Sequence, residues 1–185
     1  DIGTHPSDTE ERLHLSAPFP WVRSSAGIYP GGSDENTEQL LDLLEKRLET
    51  GAFSALGETG IDFHWNYATP DKQKELFLRQ IELANRFRLP VIIHSRKADD
   101  ALSEVLAELP PECGGVMHCF SSGWNTARRC LDYGLHLSFA GNITYKNTAE
   151  IRDAAVRAPA DRILLETDAP FLSPEPLRGK KNQPG

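Results

Sequence analysis

A regular alternation of short apolar runs with longer helical patterns is the feature that most constrains how this chain folds. The residue types of β-strands occur at residues 21–28, 53–57, 90–95, 115–120, 135–141 and 162–167. Two of these runs, Val91-Ile92-Ile93 and Ile163-Leu164-Leu165, are apolar at consecutive positions, which is typical of strands buried on both faces. The runs therefore predict a sheet whose two faces are covered.

Amphipathic helix patterns fill the intervals between the runs. They cover residues 34–50, 69–88, 98–109, 125–133 and 147–158. The second pattern opens on Thr69-Pro70, where Thr69 is a candidate N-cap and Pro70 takes the first helical position. Strands that alternate with helices predict an α/β fold, in which helical crossovers connect the strands of a parallel sheet.

The length of each strand–helix unit separates two folds of this kind. An open, doubly wound sheet is possible, but the Gly-rich phosphate motifs of such sheets are absent from the sequence. Units of about 30 residues fit a TIM (β/α)8 barrel of ~250 residues better. We therefore predict that residues 1–185 form a single, partial barrel domain, with residues 1–4 as the end of one of two missing strands. We expect the C-terminal end of the barrel to be incomplete as well.

Composition narrows the classes of protein that the chain can represent. The formal net charge of −7 argues against a broad basic surface for nucleic acid, but not against an enzyme that meets a polyanion through bound cations. No apolar stretch approaches the roughly 20 residues that cross a bilayer, and no secretory pattern opens the chain. Three cysteines without metal-type spacing indicate reduced thiols. We expect a cytoplasmic protein, or a nuclear one if the source is eukaryotic, with no membrane partner and a monomeric state favoured.

Four ionisable residues stand at the carboxyl ends of four different predicted strands. Each follows an apolar run: Glu58, His94, His118 and Asp168. In a barrel these strand ends converge on the face where active sites are built. A single histidine at a strand end is more often structural than a ligand, but four such positions favour a site for Zn²⁺, Mn²⁺ or a similar divalent ion. Glu58 could bridge two ions, which together activate water and steady the charge of a phosphoryl group.

Five motifs surround these residues. They are Gly57-Glu58-Thr59-Gly60-Ile61-Asp62-Phe63, Pro90-Val91-Ile92-Ile93-His94-Ser95-Arg96, Gly115-Val116-Met117-His118-Cys119-Phe120-Ser121, Leu164-Leu165-Glu166-Thr167-Asp168-Ala169-Pro170-Phe171-Leu172 and Arg178-Gly179-Lys180-Lys181-Asn182-Gln183-Pro184. In their residues and in their order along the chain, they resemble the signatures of the TatD family of metal-dependent hydrolases. The resemblance is specific, because the motifs span nearly the whole chain.

The resemblance implies a role for each matching residue. Glu58 would bridge two divalent ions (Mg²⁺, Mn²⁺ or Zn²⁺), His94 and His118 would bind one of them, and Asp168 would bind the other and serve as general base. Glu58 and Asp168 would thus be the catalytic residues. The implied reaction is hydrolysis of phosphodiester bonds in DNA, often from the 3′ end. Some relatives instead remove D-amino acids from tRNA, so an ester or amide hydrolase with the same metal site is one alternative, and a non-catalytic binding module is another.

Two departures from the family pattern bear on that reaction. The family commonly opens with a first strand carrying His-x-His, whereas Gly3-Thr4 matches the Gly-Thr of the family's second strand. On the resemblance, the first strand and most of the second would precede Asp1. The chain also has Tyr29 where many relatives have a histidine, and a phenol with a pKa near 10 is a poor ligand for Zn²⁺ or Mg²⁺ at neutral pH.

Other polar and aromatic residues admit two interpretations each. Arg178 and Lys180, on a Pro- and Gly-rich segment, are either solvated or a clamp for phosphate, and Arg96 either contacts phosphate or pairs with an acid. Asp62 either orients a metal ligand or caps the following loop, and Glu166, expected to share a strand face with Asp168, either supports a ligand or forms an interior ion pair. Trp65 and Trp124 are expected to cover the strand ends, with stacking on a base as the alternative.

Overall fold

The computed structural model describes residues 1–33 and 36–184. The chain divides into two compact units, Asp1–Gly115 and Val116–Gly185. Each unit combines β-strands with helices that connect them. The single barrel domain predicted over residues 1–185 stays a prediction.

The first unit contains three strands that pair in parallel, in chain order. Its elements are α1 (Thr9–Ser16), β1 (Ser25–Ala26), α2 (Thr37–Leu48), β2 (Ala55–Asp62), α3 (Pro70–Phe87), β3 (Val91–Arg96) and α4 (Asp99–Glu108), with a 3₁₀ turn at Pro30–Gly32. In the β2–β3 register Gly60 lies opposite His94 and Asp62 lies opposite Arg96. Candidate site residues therefore come side by side on neighbouring strands.

The helices of the first unit follow from their apolar spacing. Leu41, Leu44 and Leu48 of α2 are buried, which is the face predicted from the leucine pattern. Helix α3 begins as predicted, because the Thr69 side chain accepts a hydrogen bond from the Lys72 amide and Pro70 is its first residue. Its buried face packs toward a core that includes Leu56, Ile61, Val91, Ile93 and Leu102. The predicted start of α2 at Asp34 lies outside the described residues.

Residues 1–4 run alongside the segment that contains β1. The Ser25 amide donates to the Asp1 carbonyl at 3.1 Å, and the Tyr29 amide donates to the Thr4 carbonyl at 3.0 Å. The Gly3 amide donates to Ser25 Oγ at 3.1 Å. These residues are not part of a strand in the structure, so their interpretation as the end of a barrel strand stays a prediction.

The second unit contains the remaining strands. Its elements are β4 (Gly115–Met117), which begins on the last residue of the first unit, α5 (Trp124–Asp132), β5 (Leu135–Phe139), α6 (Ala149–Arg157) and β6 (Ile163–Leu165), with 3₁₀ turns at Gly141–Thr144 and Ala160–Arg162. Strands β5 and β6 pair in parallel. The core contains Met117, Leu135 and Leu137, together with an edge-on contact of Phe120 and Phe139 at 5.9 Å between centroids.

Several predicted boundaries were wrong. Strand β2 continues to Asp62, so Glu58 lies within the strand rather than after it, and β3 ends at Arg96, one residue beyond the predicted run that contains His94. The two strands run on because they keep pairing as far as Asp62 opposite Arg96. Helix α1 was not predicted at all; it has a single buried residue, Thr9, and so lacks the apolar stripe that a sequence pattern would show.

Strand β6 also departs from expectation. Leu164 is 46% exposed and Leu165 is 85% exposed, although the apolar run predicted burial on both faces. In the described chain β6 is the last strand in the sheet order, paired with β5. The strand ends at Leu165, so Glu166 and Asp168 lie beyond it and do not share a strand face.

The α/β fold with parallel strands is confirmed by the pairing within each unit. Closure into eight strands and the position of a first strand before Asp1 stay predictions. In the described residues no helix combines the length and apolar character needed to span a bilayer.

Candidate functional site

His94 of β3 lies between two carboxylates of β2. Its Nδ1 is 3.0 Å from Glu58 Oε1, and its Nε2 is 3.0 Å from Asp62 Oδ2. The three side chains are largely withdrawn from solvent, with exposures of 17% for His94, 12% for Glu58 and 0% for Asp62. We call these residues and Tyr29 the His94 cluster.

Asp62 is held by hydrogen bonds on both of its oxygens. Oδ1 accepts from the amides of His64 at 2.8 Å and Trp65 at 3.3 Å. Oδ2 contacts His94 Nε2 and accepts from the Tyr29 hydroxyl, each at 3.0 Å. Burial disfavours the charged form, but the bonds from His64, His94 and Tyr29 outweigh it and hold the pKa of Asp62 below its usual value. Asp62 thus contacts the histidine and also caps the following loop, which combines the two interpretations offered by the sequence.

Tyr29 completes the surroundings of His94 Nε2. Burial, and then the hydrogen bond to Asp62, raises the pKa of Tyr29 above its usual range, so the phenol stays neutral and donates a hydrogen bond to Asp62. The Tyr29 oxygen is 3.2 Å from His94 Nε2. Acceptors therefore face both ring nitrogens of His94, since Asp62 and the phenol oxygen lie at Nε2 and Glu58 lies at Nδ1. With an ion held between Nδ1 and Glu58, the proton of a neutral His94 belongs on Nε2.

Two buried glutamines of α3, which the sequence analysis did not single out, position this cluster. The Asp62 amide donates to Gln73 Oε1 at 2.9 Å. Gln80 accepts from the Ile28 amide at 2.8 Å and donates to the Ile28 carbonyl at 2.9 Å, next to Tyr29. Gln73 and Gln80 are seven residues apart on the buried face of α3, and polar residues at that spacing on an apolar face were the available signal.

Close approach of the strands explains one glycine of the Glu58 motif. Gly60 has a φ of 135°, and a Cβ there would lie 2.0 Å from the His94 carbonyl oxygen. A side chain at this position would push β3 away from β2 at His94 itself. The glycine is therefore needed for the 3.0 Å contacts of the cluster.

His118, just after β4, is also placed between two carboxylates. Its Nδ1 is 2.5 Å from Glu166 Oε2, and its Nε2 is 3.5 Å from Asp168 Oδ1. Burial opposes the charged imidazole, but hydrogen bonds with Asp168, Cys119 and Glu166 outweigh it and raise the pKa of His118. We call His118, Cys119, Glu166 and Asp168 the His118 cluster.

Glu166 is the more fully engaged of the two carboxylates. Its Oε1 accepts from the Cys119 amide at 2.5 Å while Oε2 contacts His118. Burial would raise its pKa, but hydrogen bonds from His118, Cys119 and Ser138 outweigh burial and lower the pKa of Glu166. Because both of its oxygens already face N–H donors, Glu166 is suited to orienting His118.

The loop that carries Asp168 has an uncommon backbone. Asp168 has a φ of 52°, in the left-handed region that costs non-glycine residues on the order of 1–3 kcal/mol. Cys119, in the separate segment next to His118, has a φ of 46° in the same region. The Asn182 side-chain amide donates to the Thr167 carbonyl at 2.7 Å, and the Asn182 main-chain amide donates to the Pro170 carbonyl at 3.0 Å. Asn182 therefore clamps this loop, a function that the sequence analysis did not assign within the Arg178–Pro184 motif.

Both clusters have donor sets that fit a divalent ion. Bonds from Zn²⁺ to imidazole nitrogen or carboxylate oxygen are about 2.0–2.2 Å long, so donors up to ~4 Å apart can share one ion. Glu58 and His94 at 3.0 Å, and His118 and Asp168 at 3.5 Å, satisfy that limit. Donor atoms of His118, Cys119 and Glu166 also lie within 4.8 Å of one another. Burial raises the pKa of Cys119 to about 12, so its thiol is the weakest donor of the set.

The structure thus brings together Glu58, His94 and Asp62 in one unit, and His118, Glu166 and Asp168 in the other. Convergence of all four predicted ligands on one face stays a prediction. Arg96 lies over the Trp65 ring, with its Cζ 5.8 Å from the centroid, and forms no ion pair with an acid of residues 1–33 and 36–184. Arg178 lies 4.3 Å from the Tyr145 centroid, and Lys180 is exposed, so their predicted contact with phosphate stays a prediction.

Parallel strands with helical crossovers place the chain in the α/β class, and its two histidine–carboxylate clusters offer nitrogen and oxygen donors that divalent metals accept. The model of the family described as TatD related DNase matches residues 1–185, and the chain belongs to that family. The resemblance inferred from the five motifs is therefore confirmed.

Individual relatives agree with this assignment. The chain is 38% identical over 173 residues to the uncharacterized metal-dependent hydrolase YabD of Bacillus subtilis, covering 93% of this chain and 68% of that protein. It is 41% identical over 161 residues to the uncharacterized metal-dependent hydrolase YcfH of Escherichia coli K12, covering 86% of this chain and 60% of that protein. The chain therefore spans between three fifths and about two thirds of these relatives.

Solved structures show the same fold. The crystal structure of YjjV, a TatD homologue from Escherichia coli K12, matches with a TM-score of 0.91 and 30% identity, covering 98% of this chain and 71% of that chain. An uncharacterized amidohydrolase from Saccharomyces cerevisiae matches with a TM-score of 0.81 at 16% identity, which is a likeness of fold alone.

Proposed function

We propose that this protein is a divalent-metal-dependent hydrolase that cleaves phosphodiester bonds in DNA, releasing nucleotides from the 3′ end. The observation that carries the proposal is the placement of each histidine between a fully engaged carboxylate and a second, more available one. Family membership supports the same conclusion. We further propose two divalent ions (Mg²⁺, Mn²⁺ or Zn²⁺) as cofactors and DNA as the substrate partner.

In this proposal Glu58, His94, His118 and Asp168 hold the ions. Bound divalent ions supply an activated water and neutralise charge on the phosphoryl group. Asp62, with Tyr29 behind it, keeps the proton of His94 on Nε2 and leaves Nδ1 available beside Glu58. Glu166 fixes His118 through Nδ1 and leaves Nε2 facing Asp168.

Asp168 is the residue that we propose accepts the proton of the attacking water. Its side chain is 29% exposed, so solvent reaches it, whereas Asp62 is wholly buried. The left-handed backbone at Asp168 and the clamp from Asn182 fix the direction of this carboxylate. A carboxylate oriented in advance takes a proton without first reorganising its surroundings.

The proposal is tested by hydrolysis of a single-stranded DNA oligonucleotide labelled at its 5′ end. Protein stripped of metal and then supplied with Mg²⁺, Mn²⁺ or Zn²⁺ should shorten the oligonucleotide from its 3′ end. Glu58→Ala and His94→Ala should lower the rate more than about 100-fold, because metal ligands contribute several kcal/mol to the transition state. Glu108→Ala and His14→Ala change exposed residues of the same types and serve as controls.

Undiminished hydrolysis in Glu58→Ala and His94→Ala would contradict the assignment of these ligands. Metal-dependent release of an amino acid from D-aminoacyl-tRNA, with no nucleotide released from DNA, would contradict the substrate. Parallel assays on both substrates with the same preparation separate the two results.

A further inference from the structure

An exposed group of aromatic and cationic side chains adjoins the His94 cluster. Trp65 is 52% exposed and Tyr67 is 40% exposed, both on the loop that follows β2. His64 and Arg96 are exposed beside them. We call these four residues the Trp65 platform. Its exposure does not agree with the expectation that Trp65 covers the strand ends.

The platform is anchored to a carboxylate of the candidate metal site. Asp62 Oδ1 accepts from the amides of His64 and Trp65, at 2.8 Å and 3.3 Å, while Asp62 Oδ2 contacts His94 Nε2 at 3.0 Å. One buried side chain therefore fixes both the loop and the histidine. Arg96 belongs to the neighbouring strand, β3, where it lies opposite Asp62 in the β2–β3 register.

The rings and the cation of the platform contact one another. The Arg96 Cζ is 5.8 Å from the Trp65 centroid, and the His64 ring meets Trp65 edge-on, with centroids 4.7 Å apart. Tyr67 meets the Tyr29 ring edge-on at 5.8 Å. Trp65 thus has a cation and a ring beside it while about half of its surface stays accessible.

We propose that the Trp65 platform binds an unpaired base of single-stranded nucleic acid, with Trp65 stacking on the base and Arg96 meeting an adjacent phosphate. The inference rests on the proposed function and defines the form of its substrate. Proteins that hold single strands combine aromatic rings, on which bases of any sequence stack, with cations that follow the phosphates. Arginine suits this position because its planar guanidinium both lies against an aromatic ring and pairs with phosphate.

A base in duplex DNA cannot reach Trp65 in this way, because its faces are covered by its stacked neighbours. The platform therefore selects single strands, frayed ends or flipped bases over intact duplex. The chain has a net charge of −7, so a local cation beside the site, rather than the overall charge, has to attract the polyanion.

Trp21 offers a matched comparison within the same unit. It is more exposed than Trp65, at 74%, but its ring contact is with Phe19 at 5.7 Å instead of with a cation. If any exposed tryptophan bound the nucleic acid, the two residues would behave alike. If the platform is specific, only Trp65 matters.

The test measures binding to the metal-loaded protein with strands whose phosphodiester bonds are replaced by phosphorothioates, so that hydrolysis does not consume the ligand. Fluorescence anisotropy is recorded with a labelled 12-nucleotide oligo-dT strand, an abasic strand of the same length and an intact hairpin duplex. Trp65→Ala should weaken binding of oligo-dT at least about fivefold, the lower end of what one stacked base contributes. It should leave the abasic strand unaffected, whereas Trp65→Phe should retain most of the affinity and Trp21→Ala all of it.

Equal affinities of Trp65→Ala and Trp21→Ala for oligo-dT would overturn the inference. An equal loss on the abasic strand would do the same, since it would show a structural effect or a phosphate contact instead of stacking. Hydrolysis assays separate this inference from the proposed function. If Trp65→Ala loses base-dependent binding but the wild-type protein releases no nucleotide with any metal, stacking stands and the hydrolase proposal fails. If the wild-type protein hydrolyses DNA with metal but Trp65→Ala binds oligo-dT as the wild type does, the hydrolase proposal stands and the stacking inference fails.

Discussion

His94 and His118 illustrate how the surroundings of a carboxylate separate a proposed metal ligand from a residue that supports it. A carboxylate offers about four lone pairs, and Asp62 uses them on Tyr29, His94, His64 and Trp65. Glu58 meets the same imidazole at its other nitrogen and is 12% exposed. A carboxylate with every lone pair engaged orients its neighbour, whereas one with capacity to spare can bind an ion. Around His118, Glu166 is the carboxylate whose oxygens are engaged, and Asp168 is the one with capacity to spare.

Asp62→Asn tests this division at the residue scale. An amide in place of the carboxylate should weaken the hold on His94 and lower the affinity for Mn²⁺ about 10- to 100-fold, the usual cost of losing a carboxylate behind a histidine ligand. Tyr29→Phe should have a smaller effect and leave the number of bound ions unchanged, because the phenol only supports Asp62. Isothermal titration calorimetry with Mn²⁺ measures both quantities.

Asp71→Asn is the control for this series, since that carboxylate is 94% exposed at the start of α3. Wild-type affinity in Asp62→Asn would show that His94 is fixed by other contacts. Loss of one bound ion in Tyr29→Phe would show instead that the phenol is itself a ligand.

At the scale of elements, helix α3 organises the His94 cluster without contributing a side chain to it. Gln73 holds the Asp62 amide, and Gln80 holds both main-chain groups of Ile28. The residues that follow these backbone groups, Tyr29 on one side and the His64 loop on the other, are thereby fixed against the same helix. Leu76, Phe77 and Ile81 bury the apolar face between and beside the two amides.

Gln80→Leu should lower the free energy of unfolding by about 2–4 kcal/mol, because it leaves a buried N–H and a buried C=O of Ile28 without partners. Urea denaturation of the metal-free protein measures the change. Glu82→Leu, at an exposed position on the same helix, should alter stability by less than about 0.5 kcal/mol. Similar stabilities for the two variants would show that the Ile28 backbone finds other partners.

The elements that sequence predicted well are those with strong local signals. Thr69-Pro70 fixed the start of α3, and the leucine spacing fixed the buried face of α2. The glutamines were missed because their partners are distant in sequence; Gln80 and Ile28 are 52 residues apart. Such a contact exists only once the tertiary fold has formed; the spacing of Gln73 and Gln80 on an apolar face indicates burial but does not identify their partners.

In the candidate site, too, local motifs predicted which residues matter, but not the contacts that form only in the folded protein. Motifs singled out Glu58, His94, His118 and Asp168, and the structure places each beside another predicted site residue. The pattern did not reveal that Tyr29 donates to Asp62, since the two are 33 residues apart. Nor did it reveal the exposure of Leu164 and Leu165, because an apolar run predicts a strand but not how many neighbours that strand has.

At the scale of the whole molecule, each compact unit carries one histidine with its pair of carboxylates. Glu58, Asp62, Glu166 and Asp168 contribute to the acidic balance of −7, which bound cations would reduce. Negative charge is thus consistent with a protein that acts on DNA through metal ions. Membership of the TatD related DNase family fits this interpretation.

Metal content is the most direct test of the claim that these clusters bind divalent ions. The wild-type protein and the His94→Ala/His118→Ala variant are dialysed against Zn²⁺ or Mn²⁺, then against metal-free buffer, and the retained metal is measured by elemental analysis. Circular dichroism verifies that both are folded, and His5→Ala/His14→Ala controls for removal of two exposed histidines. We predict that the wild type and the control retain bound metal and that the double variant loses the metal held by these two histidines. Equal retention in the His94→Ala/His118→Ala variant would contradict the account.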